Sequence, residues 1–133
     1  MQPLAPDQLD AFLRRFHRGR GGRLRAVDVA LARQSVAAVT FTLEVRDADR
    51  DDADTELRLQ VAEVAELRLQ VRPTEDPQTL ADGINIEMYQ GLFFVDLLPW
   101  TDRPAGVHDY RVSSCYAAGA VLRWEVETPS GTG

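Results

Sequence analysis

The sequence contains no lysine, because all fifteen of its basic residues are arginine. It has one asparagine and two isoleucines beside abundant alanine, leucine, valine and aspartate. This bias is typical of proteins encoded by GC-rich bacterial genomes and predicts a bacterial source. The presence of arginine at a given position is therefore no evidence that its chemistry was selected over that of lysine.

The chain also has little cysteine and no long hydrophobic run. Cys115 is the one cysteine, so no internal disulfide can form. No stretch approaches the ~18 consecutive apolar residues that a membrane-spanning helix needs. Residues 1–6 lack the basic and apolar regions of a secretory signal. We therefore expect a cytoplasmic protein that does not enter a membrane.

The net charge of −6 is unevenly distributed. Residues 11–27 contain six arginines and no acid, so the rest of the chain carries −12. An acidic protein repels nucleic acid, which makes DNA or RNA an unexpected partner. The basic segment leaves room for an acidic partner.

Motifs for cofactors and metals are also missing. The sequence has no glycine-rich phosphate loop, no dinucleotide fingerprint and no Gly-x-Ser-x-Gly. Two histidines and one cysteine are too few for a usual zinc site. Residues 47–54 begin with the aspartate spacing of an EF-hand loop, but Asp52 replaces its glycine and Arg58 its closing glutamate. We expect a solvated hairpin loop there, and no cofactor.

Hydrophobic spacing predicts one helix followed by strands. In residues 6–17, Leu9, Phe12, Leu13 and Phe16 recur at helical spacing. From residue 23 onwards the period changes to two, most clearly in residues 36–46. Further strands are predicted at 23–31, 55–61, 66–72, 83–88, 92–98, 110–117 and 120–127, with one helical turn at 78–81.

Two of these assignments involve a choice. The hexapeptide Glu-Leu-Arg-Leu-Gln-Val occurs at 56–61 and again at 66–71. It fits two strands joined by a tight turn or one long strand kinked near residues 62–65, and residues 61–69 also fit a helix. Gly91 and Gly119 predict hairpin turns between 83–88 and 92–98 and between 110–117 and 120–127.

These elements predict an α+β fold that is mainly β. An N-terminal amphipathic helix would pack on a curved antiparallel meander of about seven strands, forming a half-open barrel; a two-layer sandwich is the alternative. We expect one domain over residues 1–133, with the helix at 6–17, antiparallel β-structure at 23–127 and a flexible tail at 128–133. Residues 92–98 are apolar on both faces, which predicts a strand covered on both sides, with the helix over one face.

Three residues are candidates for a chemical site. Asp96 lies inside an apolar strand, so its carboxyl must be paired, hydrogen-bonded or protonated if it is buried. Arg111 or Arg123 could pair with it, and a buried anchor is favoured over a catalytic acid. Cys115 with His108 could suggest a thiol nucleophile, although a cysteine in mid-strand is typical of packing.

The sequence resembles small bacterial domains, some of which are grouped with toxin-immunity proteins. The resemblance spans most of the chain and rests on the segments Phe12–Gly19, Val39–Val45 with its aspartate loop, Gly83-Ile84, Val95-Asp96-Leu97, Ser114-Cys115-Tyr116 and Trp124-Glu125-Val126. It implies no catalytic residue. The sequence therefore favours a non-enzymatic binding domain, possible partners being another protein or a second copy paired through an edge strand. The alternative is a small-ligand binder or a hydrolase that uses the mouth of the curled sheet.

Overall fold

A computed structural model describes residues 1–70 and 79–127. Strands and two short α-helices alternate with turns and three 3₁₀ segments. In chain order the elements are β1 (Gln2–Pro3), α1 (Leu9–Arg15), β2 (Gly22–Leu31), β3 (Val36–Asp47), β4 (Ala53–Leu69), β5 (Thr79–Leu80), β6 (Asn85–Tyr89), β7 (Leu92–Asp96), α2 (Val107–Arg111) and β8 (Cys115–Glu127). None of the helices in the described ranges is long and apolar enough to cross a membrane.

The strands form one curled antiparallel sheet, a half-barrel with a short N-terminal helix, as predicted. Seven strands follow the order β5-β2-β3-β4-β8-β7-β6, and β1 pairs with β8. The last strand thus lies in the middle of the sheet, between β4 and β7. This arrangement makes β6 one edge of the sheet.

The predicted N-terminal helix is formed by α1 with a 3₁₀ turn on each side, at Pro6–Gln8 and His17–Gly19. Its apolar face is buried in the half-barrel, where the rings of Phe12 and Phe16 lie edge-to-face 5.1 Å apart. The Phe12 ring also contacts Trp124 of β8, at 5.3 Å between centroids. The helix therefore covers the inner face of the sheet.

The first hexapeptide and residues 66–69 of the second belong to one long strand, β4, so the kinked-strand interpretation is confirmed and a helix at 61–69 is wrong. Glu63 has a left-handed φ of 52°, and the pairing with β8 shifts register between Val64 and Glu66. A β-bulge of this kind bends a strand and increases its twist. It allows the first copy of the hexapeptide and residues 66–69 of the second to pair with the same neighbouring strand.

The predicted final hairpin is wrong. Residues 107–111 form α2, and β8 runs without a turn through Gly119. A Cβ on Gly119 would lie 2.5 Å from the Ala62 carbonyl oxygen. The glycine therefore serves the close approach of two backbones at the bulge, and its φ is not that of a turn.

The β6–β7 hairpin is as predicted, with Gln90 and Gly91 both at positive φ. As expected for β7, both of its faces are covered: Phe93 belongs to the core that contains α1, and Phe94 lies under Tyr110 of α2. Thr79 and Leu80 form a strand instead of the predicted helical turn, because they pair with Arg23 and Gly22. The predictions for Gln78, for the end of the 66–72 strand and for the tail at 128–133 lie outside the described residues.

Candidate functional site

Asp96, at the end of β7, is buried, with 2 % of its surface exposed. Its Oδ1 accepts a hydrogen bond from the Leu98 amide at 2.9 Å, and the Ser113 side chain also interacts with it. Burial raises the pKa of this carboxyl to about 6, against the opposing effect of these two donors. Asp96 thus anchors the chain as it leaves the sheet.

The arginines expected to pair with Asp96 bind elsewhere, so that expectation is wrong. Arg111 forms a two-point ion pair with Glu66, with distances of 2.9 and 2.7 Å. Arg123 donates to the Gln60 side chain at 3.3 Å. On the outside of the sheet, Arg111 thus links α2 to β4, and Arg123 links β8 to β4.

Cys115 and His108 lie in different environments. Cys115 is buried at the start of β8, where burial, together with the charge of Asp96, raises the pKa of the thiol to about 11. His108 is exposed on α2. Asp109, its neighbour, binds the Trp100 indole and the Ala105 amide and so fixes the loop before α2. A thiol that remains protonated at neutral pH is a poor nucleophile.

The aspartate loop between β3 and β4 anchors α1. Asp47, predicted to lie in a solvated loop, is fully buried and accepts two hydrogen bonds from Arg15, at 2.9 and 3.0 Å. This guanidinium holds the pKa of Asp47 below its usual range. Asp52 lies 2.6 Å from the His17 ring. Across residues 1–70 and 79–127, no cluster of His, Cys, Asp and Glu side chains could hold a metal.

A polar cleft of about 710 Å³, which we call the arginine cleft, opens at the β6 edge of the sheet. Leu13 and Arg14 of α1 line it from the inner side. Arg18 follows α1, and Arg103 lies on the loop before α2. The remaining wall is formed by Asp10, Asp102, Pro104, Tyr110 and residues 85–87 of β6.

Arg18 is held in the wall of this cleft by its backbone. Its φ is 54°, and its carbonyl accepts a hydrogen bond from the Ile84 amide at 2.7 Å. Gly83 permits this contact, since a Cβ there would lie 2.6 Å from the Arg18 oxygen. A non-glycine residue in the left-handed region costs of order 1 kcal/mol, so the rest of the fold fixes this conformation.

The Arg18 side chain is only partly satisfied. Its Nη2 donates to the neutral amide oxygen of Asn85, whose own Nδ2 donates to the Thr101 carbonyl at 2.9 Å. The Arg18 Nε is buried and has no hydrogen-bond partner among residues 1–70 and 79–127. A buried donor without an acceptor costs about 1–3 kcal/mol. The positive charge of Arg18 thus meets an amide where a carboxylate would be the usual partner.

The other two arginines of the cleft are also accessible to a ligand. Arg14 and Arg103 are exposed, and neither forms an ion pair with a carboxylate in the described parts of the chain. Arg14 donates from Nε to the Asp10 carbonyl at 3.4 Å.

The acids of the cleft, in contrast, are partly engaged. Asp102 lies 3.6 Å from Arg20, and Glu87 accepts hydrogen bonds from the Tyr110 and Tyr89 hydroxyls at 2.8 and 3.1 Å. Desolvation and Glu87 raise the pKa of both phenols, that of Tyr89 to about 12. The phenols therefore stay protonated and keep donating to Glu87.

A second cavity, of about 160 Å³, opens at the mouth of the curled sheet. Its wall includes Leu24, Leu97, Leu98 and Cys115 and is almost entirely apolar. It could receive a small apolar group, but it offers few polar atoms to orient one.

The arginine cleft was only partly visible in the sequence. Arg14 and Arg18 belong to the basic segment for which an acidic partner was considered. Asn85 and Arg103 carried no signal, because the β6 edge and the loop before α2 join α1 only in the folded chain. The single asparagine of the sequence proves to be the residue that holds Arg18.

Comparisons with known proteins assign no family. No protein-family model matches the chain, and no curated protein or solved structure matches it. A function therefore has to be argued from the geometry of this chain.

Proposed function

We propose that this chain is a non-enzymatic binding domain that holds an acidic group of its ligand in the arginine cleft. The observation that carries the proposal is the half-buried guanidinium of Arg18, which in the described parts of the chain has a neutral partner at Nη2 and none at Nε. A partly buried guanidinium without a counter-charge is costly, and an anionic ligand that accepts from Nε would remove part of that cost.

The surroundings of Arg18 support an anionic ligand. Arg14 and Arg103 add two exposed guanidiniums that pair with no carboxylate of residues 1–70 and 79–127. Asp102 pairs with Arg20, and Glu87 accepts from two phenols. Arginine matches the two oxygens of a carboxylate with two parallel N–H groups, which makes it well suited to this recognition.

The position of the candidate chemical groups favours binding over catalysis. Asp96 and Cys115 are buried away from the cleft, and His108 is exposed on α2. A nucleophile needs a base within hydrogen-bond reach and access to substrate. The pKa of about 11 at Cys115 works against thiolate chemistry.

A second candidate function is the binding of a small apolar group at the mouth of the sheet. The 160 Å³ cavity beside Leu97 and Cys115 favours it. It makes a separate prediction: an apolar ligand would protect Cys115 from thiol reagents, whereas an acidic ligand in the arginine cleft would not.

The proposed function is tested by measuring the affinity of the full chain for a blocked hexaglutamate peptide at low salt. We expect Arg103→Gln and Arg14→Gln each to weaken binding several-fold, and added salt to weaken it further. Arg33→Gln is the matched control, since it removes the same charge from the exposed β2–β3 turn outside the cleft. If Arg33→Gln and Arg103→Gln weaken binding equally, the peptide responds only to the overall charge of the protein, and the proposal is overturned.

A further inference from the structure

The arginine cleft follows an open edge of the sheet. On one side, β6 pairs with β7 through a two-residue turn at Gln90 and Gly91. A turn of this type places Tyr89 and Leu92 in a hydrogen-bonded pair, and alternate residues then point their backbone groups in opposite directions. Glu87 and Asn85 therefore face β7, while Ile86 and Met88 face the edge.

The Ile84 amide confirms this alternation, because it points outward and donates to the Arg18 carbonyl. Beyond it, the backbone N–H and C=O groups of Ile86 and Met88 have no protein partner in the described ranges. Ile86 lines the cleft with only 3 % of its surface exposed, so its backbone groups are largely covered, whereas Met88 on the same edge is 37 % exposed. Backbone groups in such a position normally have a partner.

We propose that the ligand is an acidic polypeptide segment that binds in extended form as an additional strand on β6. This inference rests on the proposed function and names the class of ligand for the same cleft. Ile86 and Met88 would supply the backbone hydrogen bonds, and the arginines would contact acidic side chains. Strand addition of this kind draws affinity from the backbone and specificity from pockets that take alternate side chains.

The cleft offers charge on both faces of such a strand. Arg14, on α1, lies at the inner face of the sheet. Arg103 lies at the outer face, because its loop is bound there through a hydrogen bond from the outward-facing Asn85 side chain to the Thr101 carbonyl. Successive side chains of an extended peptide point to opposite faces, so neighbouring acidic residues would meet different arginines.

A second copy of this chain is a less suitable strand for the same edge. An antiparallel pairing of two β6 edges would bring two arginine clefts, with Arg14, Arg18 and Arg103 from each copy, into one interface. Like charges brought together in an interface are unfavourable. A peptide rich in glutamate or aspartate relieves that repulsion.

The decisive variant is Met88→Pro, with Met88→Ala as its control. Met88 is partly exposed, and its N–H points away from β7, so proline removes a free donor while leaving the ladder with β7 intact. Alanine removes the same side chain and keeps the N–H. Thermal unfolding of both variants checks that the fold is retained, and a blocked hexaglutamate serves as the probe.

We expect Met88→Pro to weaken hexaglutamate binding at least ten-fold and Met88→Ala to leave it within two-fold. We also expect the Ile86 and Met88 amides to exchange more slowly with solvent when the peptide is bound. Should Met88→Pro fail to fold, hexaglutamate methylated on alternate backbone nitrogens provides the same test on the unaltered chain, with the same ten-fold loss expected.

The remaining outcomes separate the two proposals. If the methylated peptide and Met88→Pro both bind as tightly as their controls, yet Arg103→Gln weakens binding, strand addition is overturned and the acidic-ligand proposal stands. If hexaglutamate does not bind at all, both the acidic-ligand proposal and the strand-addition proposal are overturned. If sedimentation shows a dimer, and Met88→Pro dissociates it, the β6 edge binds a second copy of the chain. That result would overturn the proposal of a peptide ligand.

Discussion

Arg15 and Asp47 form a two-point ion pair, with Nε–Oδ1 and Nη2–Oδ2 distances of 2.9 and 3.0 Å. It joins the last turn of α1 to the end of β3. Asp47 also accepts the Asp49 amide at 2.9 Å, so one buried carboxylate fixes both the helix and the loop. The helix that forms one wall of the arginine cleft is thereby held to the sheet.

Replacement of Asp47 by asparagine is expected to destabilise the fold by about 2 kcal/mol, because a partly buried guanidinium loses its counter-charge. The change is measured by urea unfolding at neutral pH. Asp49→Asn is the control: Asp49 is exposed and contacts the same arginine at 3.3 Å, so we expect a loss below about 0.5 kcal/mol. Equal losses in the two variants would contradict the anchoring role of Asp47.

The same pair gives a prediction about acid. The pKa of Asp47 is lowered from its ordinary 3.8, so the folded state favours the ionised carboxylate. The resulting stability is complete above the unfolded value and is lost as the pH falls through the lower, folded value. In Asp47→Asn this part of the acid sensitivity disappears. The check is urea unfolding of both proteins between pH 5 and pH 2, where parallel curves would refute the assignment.

Asp96 is expected to change the stability of the fold with pH in the opposite direction to Asp47. Its folded pKa of about 6 lies above its ordinary 3.8, so the folded state favours the protonated acid. Stability then falls as the pH rises from about 4 to 6, by about 3 kcal/mol if the whole shift is expressed. Asp96→Asn keeps a neutral acceptor for the Leu98 amide and removes this dependence. An unchanged slope between pH 4 and pH 7 in the variant would show that Asp96 is not its source.

Cys115 is expected to be unreactive in the folded chain. A pKa of about 11, against an ordinary 9.0, leaves about a hundred-fold less thiolate at neutral pH, and burial limits access further. The reaction with a chromogenic disulfide reagent should therefore be at least a hundred-fold slower in buffer than in concentrated urea. A native rate close to the unfolded one would place Cys115 at the surface and reopen the question of thiol chemistry.

Gly119 tests the interpretation of the β4 bulge. Gly119→Ala places a Cβ within 2.5 Å of the Ala62 carbonyl oxygen, and we expect a loss of about 2–4 kcal/mol in unfolding free energy. Gly106→Ala is the matched control, because it meets nothing within 4 Å and has an extended φ. Its stability should stay within about 0.5 kcal/mol of the original. Similar losses at the two sites would contradict the close approach at the bulge.

The local pattern of apolar and polar residues was sufficient to predict the class of fold. It was insufficient to predict the structure where segments distant in the sequence come into contact. The alternation in residues 36–46 and the turn at Gln90 and Gly91 are local signals, and β3 and the β6–β7 hairpin follow them. Gly119 carries the same local signal as a turn glycine. Its actual role depends on the bulge in β4, more than 50 residues earlier in the chain, which no window around Gly119 contains.

The candidate site was harder to predict for the same reason. Asp96 was a candidate because it lies inside an apolar strand, and the structure shows that it is buried. The cleft, however, depends on Arg18, Asn85 and Arg103, which approach one another only when α1, β6 and the loop before α2 are assembled. The aspartate loop drew attention by its charge, although its central feature is one buried carboxylate paired with Arg15.

An amide and arginine side-chain NMR titration of the full chain with blocked hexaglutamate tests most directly whether the arginine cleft binds an acidic ligand. We expect the largest shifts at Ile86, Glu87 and Met88 and at the Nε groups of Arg14, Arg18 and Arg103, with little change at Arg33. Shifts confined to other surfaces, or none at millimolar peptide, would contradict an acidic ligand in the arginine cleft.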